Sequence, residues 1–243
     1  MSGDWDFFSL LVDDEPASIY VDLGLAREAP LPGRSHMAYV RVLMRQPRPD
    51  GLSSNEEFDT LIAIEDALVA QVVQHGPTTF AGRNTSSGNR DFYFYTADPD
   101  GFDGLVAAAM ARHPDYDFET GTRHDPDWDV YFDFLSPSPD DFQRIMNRRV
   151  VENLAAHGDD RSKPRDVDHF AYLPDAAALG RLRGYLESHG FDIGEPRLDD
   201  GAIALAFKRQ DRPDAMDEVV IPLARHIRDL GGEYDGWGCE VVA

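Results

Sequence analysis

Gly231-Gly232-Glu233-Tyr234-Asp235-Gly236-Trp237-Gly238-Cys239-Glu240, followed by Val241-Val242-Ala243, is the stretch on which the reading of the fold turns. Two aromatics alternate with glycines and acids, and β-branched residues come next. Such a pattern reads as a turn feeding a last strand. Just before it, Met216, Val219, Leu223 and Ile227 recur at helical spacing. The chain therefore closes on a helix and a strand, and the preceding residues say what that pair completes.

Val167-Asp168-His169-Phe170-Ala171-Tyr172 alternates as a strand does. Leu179, Leu182 and Leu186 mark a helix that starts after Asp175 and stops at His189-Gly190. Phe191-Asp192-Ile193 and Ile203-Ala204-Leu205-Ala206-Phe207 are two more strands. The order is β-α-β-β-α-β, the split βαβ or ferredoxin-like unit. Pro222 falls inside the last helix, where a proline costs about 3 kcal/mol. The sequence predicts a kink or a restart near Val220-Ile221.

The same order appears earlier. Tyr39 to Met44 reads as a strand. A helix follows, with Ser53 and Ser54 each three before a glutamate, at Glu56 and Glu57, the spacing of a capping box. Leu61, Ile64, Leu68 and Val72 line its apolar side, and His75-Gly76-Pro77 ends it. Strands are expected over 78–83 and 91–96, joined by a loop over 84–89. A helix is expected to open at Asp98-Pro99-Asp100, and extended segments at 115–122 and 128–135. A hairpin over 4–12 and 18–23, turning at Asp13-Asp14-Glu15-Pro16, precedes this unit.

The expected fold class is thus α+β, with two ferredoxin-like domains whose sheets are antiparallel, joined by a helix. The first domain is placed at 1–137 with its extra hairpin, the connecting helix and linker at 138–165, and the second domain at 166–243. Ser138 and Pro139 are suited to begin the connecting helix. Phe142, Ile145, Met146, Val150 and Leu154 form its apolar stripe.

The chain of 243 residues carries 45 acids against 23 bases, a net charge of −22. A phosphate backbone needs clustered Lys and Arg, so a direct nucleic-acid surface is not expected. An acidic surface instead steers towards basic partners. No run of apolar residues is long enough to span a membrane, and Met1-Ser2-Gly3-Asp4-Trp5-Asp6 has no signal-peptide pattern. The expected compartment is the cytoplasm.

No catalytic, cofactor or metal residue is assigned. His124-Asp125 and Asp168-His169 put imidazole beside carboxylate, but no HExxH or repeated Cys/His spacing accompanies them. No Gly-x-Ser-x-Gly elbow and no phosphate-binding glycine loop is present. Cys239 is the one cysteine, and its acidic neighbour Glu240 disfavours a thiolate. Phe92-Tyr93-Phe94-Tyr95 fits a core strand better than an RNA-stacking platform. The candidate partner-binding residues are Tyr234, Asp235, Trp237, Asp199 and Asp200. Within this set Trp237 reads first as a packing residue.

Residues 166–243 resemble the bacterial ribonuclease E inhibitors known as regulator of ribonuclease activity B. The resemblance rests on Glu233-Tyr234-Asp235-Gly236-Trp237-Gly238, on Gly190-Phe191-Asp192-Ile193 and on Leu198-Asp199-Asp200-Gly201. It implies a non-catalytic domain that binds a ribonuclease E-type enzyme and reduces RNA cleavage. The first two thirds resemble an uncharacterised bacterial family, through Asp50-Gly51-Leu52, Ile64-Glu65-Asp66, Gly82-Arg83, Asp91-Phe92-Tyr93-Phe94-Tyr95 and Asp125-Pro126-Asp127-Trp128. The expected function is a regulatory protein that binds a protein partner. The competing readings are a metal-dependent or small-molecule-binding enzyme or sensor, with a site between the domains near His124, Asp125, Asp168 and His169, and a homo-oligomeric scaffold.

Overall fold

The computed structural model describes residues 2–242, which fall into two compact units that divide between Pro137 and Ser138. Each is mixed α+β around one antiparallel sheet.

The first unit opens with β1 (Trp5–Val12) and β2 (Glu15–Asp22), a hairpin in register from Trp5 opposite Asp22 to Val12 opposite Glu15. The turn is only Asp13-Asp14, both at positive φ (51° and 65°), so Glu15 and Pro16 belong to the strand rather than the expected four-residue turn. Aspartate tolerates this left-handed geometry better than most residues. Then come β3 (His36–Leu43), α1 (Asn55–His75), β4 (Thr78–Ser86), β5 (Asn89–Thr96), α2 (Phe102–Met110) and β6 (Phe118–His124). The strands run β1-β2-β4-β5-β3-β6. Without the hairpin, β4-β5-β3-β6 is the ferredoxin-like arrangement.

Three local expectations are corrected. β4 and β5 extend into the predicted loop and meet at a Ser87-Gly88 turn with φ of 49° and 79°. The capping box does not form: Ser54 makes no side-chain cap, and the Glu57 carboxylate accepts the backbone N–H groups of Arg45 (2.7 Å) and Gln46 (2.9 Å). α2 starts at Phe102, because the Asp98 carboxylate accepts the Gly101 N–H and holds the preceding residues in a turn.

The core of this unit lies between the sheet and α1 with α2. Val40, Val42, Phe92 and Phe94 meet Leu61, Ile64, Leu68, Val72 and Phe102. At a register shift in β4, Gly82 lies against β2, where an added Cβ would stand 2.7 Å from the Tyr20 carbonyl oxygen. A backbone oxygen within a sheet has little room to give. Gly82→Ala is expected to cost about 1–3 kcal/mol in denaturant unfolding; an unchanged midpoint would contradict this packing.

The other sheet face is closed by residues 125–135, of which 129–135 are helical rather than extended, with a π-helical turn at Tyr131–Leu135. The Asp125 carboxylate, 3% exposed, accepts from the Tyr95 hydroxyl (2.7 Å) and from the N–H groups of Asp129 (3.0 Å) and Val130 (3.1 Å). Those bonds start the helical turn. Trp128 is buried and stacks on Tyr95, with ring centroids 3.8 Å apart.

The second unit comprises α3 (Pro139–Ala156), β7 (Arg165–Leu173), α4 (Ala176–Ser188), the short β8 (Asp192–Ile193) and β9 (Arg197–Asp199), β10 (Ala202–Asp211), α5 (Met216–Asp229) and β11 (Glu233–Cys239). The main order is β11-β7-β10-β8, again ferredoxin-like, with β9 paired to β10. Ser138 caps α3 by accepting the Asp141 N–H, with Pro139 in the first turn. Phe142, predicted in the apolar stripe of α3, is exposed, while Ile145 and Leu154 are buried.

α5 runs unbroken through Pro222, contrary to the predicted restart. Pro222 and Glu218 are both exposed, so the carbonyl that loses its helical donor lies on the solvated side. Val220, Ile221, Leu223 and Ala224 are buried around it, and this burial stabilises the helix. Among the described residues no helix is long and apolar enough to cross a membrane.

Candidate functional site

The alternation along β7 separates two environments. Val167, His169, Ala171 and Leu173 point inward, whereas Asp166, Asp168, Phe170 and Tyr172 occupy the other face. Phe170 is flanked by Ala206 on β10 and Gly236 on β11. Neither neighbour has a side chain large enough to cover its ring, which stays 44% exposed. Tyr172 lies between Ala204 and Glu233, and Asp168 between Lys208 and Gly238. A shallow cavity of about 380 Å³ follows this face past Phe170, Tyr172, Ala204 and Ala206 to Arg197 and Asp199.

Acids rim it. Asp199 and Asp200 are exposed at the turn between β9 and β10, where Asp200 and Gly201 take φ of 42° and 86°. Leu198 beside them is 81% exposed. Asp235 is the extra residue of a bulge between Tyr234 and Gly236, and it is exposed on the edge strand β11. The turn acids and the bulge acid thus lie on opposite edges of the sheet, with β7 and β10 between them. On the same face Lys208 pairs with Asp166 at 2.6 Å, which holds that carboxyl below its usual range.

The Tyr-Asp-Gly-Trp-Gly segment is part of the strand, not a turn feeding it, and residues 240–242 lie beyond the strand. Its aromatics face inward. Trp237 is 8% exposed and packs with Leu154, Val167, Met216 and Val220. Its Nε1–H donates to Asn147 Oδ1 (2.9 Å), and Asn147 Nδ2 donates to Asp217 Oδ1 (2.7 Å), linking β11, α3 and α5. The Tyr234 hydroxyl is hydrogen-bonded to His169 Nδ1 at 2.8 Å. His169 is fully buried, parallel to Phe207 and edge-on to Phe191. Burial pushes its imidazole down to about 4, so it is neutral at pH 7. Burial is also the largest cause raising the Cys239 thiol.

The residues of the competing enzymatic reading have structural surroundings. Asp125 is saturated by the bonds that start the 129–135 turn, and His169 is enclosed by aromatic rings within the second unit. His124 is exposed beside His36, with centroids 5.0 Å apart. Among the described residues no three His, Cys, Asp or Glu side chains are grouped to hold a metal ion. Phe170, the most prominent apolar group of the open face, was not singled out from sequence. The strict alternation over 166–173 carried that signal.

The chain is thus a tandem of two ferredoxin-like units, the second with an open sheet face that carries Phe170. The chain belongs to the family of unknown function DUF695, whose model matches residues 3–136. Residues 144–239 match the family model "Regulator of ribonuclease activity B". No curated protein matches the chain. Among solved structures, an unknown protein from Galdieria sulphuraria is 14% identical, covering 86% of this chain and 99% of that one, with a TM-score of 0.22. A protein from Bacteroides thetaiotaomicron is 9% identical, covering 82% and 90%, with a TM-score of 0.19.

Proposed function

We propose that this protein is a non-catalytic cytoplasmic regulator. It docks through the open sheet face of its second unit onto a basic surface of a ribonuclease E-type enzyme and lowers RNA cleavage. The observation that carries this reading is an exposed aromatic, Phe170, on an acid-rimmed sheet within the segment that matches a ribonuclease-regulator family. Aromatics dominate binding energy at the centre of protein interfaces, while rim charges govern encounter rate. Residues 166–243 hold 16 acids against 8 bases, which favours a basic partner. Asp199, Asp200 and Asp235 are assigned to the rim. Tyr234 and Trp237 hold the strand that carries Asp235.

A cleavage assay with purified ribonuclease tests this. Phe170→Ala is expected to weaken inhibition by at least about tenfold, as loss of an interface anchor does. The combined Asp199→Asn, Asp200→Asn and Asp235→Asn variant is expected to slow association and blunt its salt dependence. These side chains are exposed, so the fold should persist. Inhibition unchanged in both variants would reject this face as the contact.

A further inference from the structure

Within the first unit, a cavity of about 380 Å³ gathers Arg48, Arg83 and Arg90, in a chain whose net charge is −22. Arg90 is 3% exposed. Its Nε donates to Thr85 Oγ1 (3.1 Å) and its Nη2 to Ser53 Oγ (3.1 Å), while its Nη1 has no hydrogen-bond partner among the described residues. The acids nearest in influence are engaged elsewhere. Glu65 binds Arg83, and Glu57 accepts the N–H groups of Arg45 and Gln46. Arg48 pairs with Asp50 at the rim.

A buried guanidinium with an orphaned nitrogen is costly to keep, and apolar replacement of buried charge is often neutral or stabilising. Burial, with Arg83 adding to it, pushes Arg90 down to about 10, so it is still a cation at pH 7. Ser18, Ser53 and Thr85 line the same cavity, and Phe7 and Phe58, both about half exposed, form its apolar side. Phe7, Ser18 and Tyr20 come from β1 and β2, the hairpin added to the ferredoxin-like plan.

We propose that this cavity is a binding site for a small phosphate monoester, with the phosphoryl group on Arg90 and the organic part against Phe7 and Phe58. The cavity sets a guanidinium beside three hydroxyls, and a phosphoryl group presents three terminal oxygens to them where a carboxylate presents two. The volume exceeds that of a phosphoryl group alone, which leaves room for an organic portion.

Calorimetric titration of the full chain with a nucleoside 5′-monophosphate, inorganic phosphate and malonate tests the assignment. Saturable binding is expected in the order monophosphate, phosphate, malonate. Arg90→Met is expected to weaken the phosphate probes by at least about tenfold, the loss of a charge-assisted bond, without lowering Tm. Arg48→Ala, at the exposed rim, should weaken them several-fold with Tm unchanged, and it decides the question if Arg90→Met does not fold. No saturable binding of either phosphate probe, tighter binding of malonate, or affinities unchanged in both variants would overturn the proposal.

Discussion

Trp128→Ala is expected to destabilise the first unit by about 3–5 kcal/mol, the range for a large aromatic removed from a core. Trp128 is fully buried, its ring 7° from parallel with Tyr95, and its Nε1–H donates to the Arg34 carbonyl at 2.8 Å. Alanine would leave a cavity against Tyr95 and an unpaired carbonyl. Damage should spread, because the Tyr95 hydroxyl also accepts the Tyr131 N–H (3.0 Å) and donates to Asp125. Trp128→Phe keeps a stacking ring but loses the hydrogen bond, and should cost less. Urea unfolding of both variants is the measurement. A loss below about 1 kcal/mol for alanine would mean that the 125–135 segment does not close this sheet face.

The second large effect is on pH. The His169 imidazole is lowered to about 4 in the folded chain by burial, against an ordinary value of 6.5. Between those values the unfolded chain binds a proton that the folded chain does not, so stability falls as pH drops from 6.5 towards 4. Above 6.5 both states are neutral and the group contributes no pH dependence; below 4 both are charged and the loss levels off. The full shift corresponds to about 3 kcal/mol. His169→Gln cannot titrate, so its profile should lack this component. Subtracting the two stability profiles isolates it, and a flat difference between pH 7 and 4 would show that His169 titrates normally in the fold.

Much of this architecture is legible in local pattern. The alternation in β7, the helical spacing of Leu61, Ile64, Leu68 and Val72, and the stops at His75-Gly76 and His189-Gly190 are properties of short stretches, and they lead to both ferredoxin-like units. What escapes sequence reading depends on partners far along the chain. The 129–135 turn is helical because Asp125 caps it and Tyr95 receives Trp128. Glu57 leaves its capping role for the N–H groups of Arg45 and Gln46, twelve and eleven residues away. Trp237 reads as a packing residue from sequence, but the acceptor of its N–H, Asn147, stands ninety residues earlier. Of the five residues assigned from sequence, Asp199, Asp200 and Asp235 are on the surface around the open face, and Tyr234 and Trp237 are on its inner side. Phe170 emerges only when the faces of β7 are told apart by what covers them.

The most direct test of the proposed regulation is a binding titration of the full chain against a purified ribonuclease E-type enzyme, by calorimetry or fluorescence anisotropy, at ionic strengths from about 0.05 M to about 0.5 M. An acid-rimmed contact around Phe170 predicts saturable association that weakens steeply over this range as charge steering is screened, and that is lost in Phe170→Ala at low salt. Absence of association at low salt, or binding indifferent to both salt and Phe170, would contradict it.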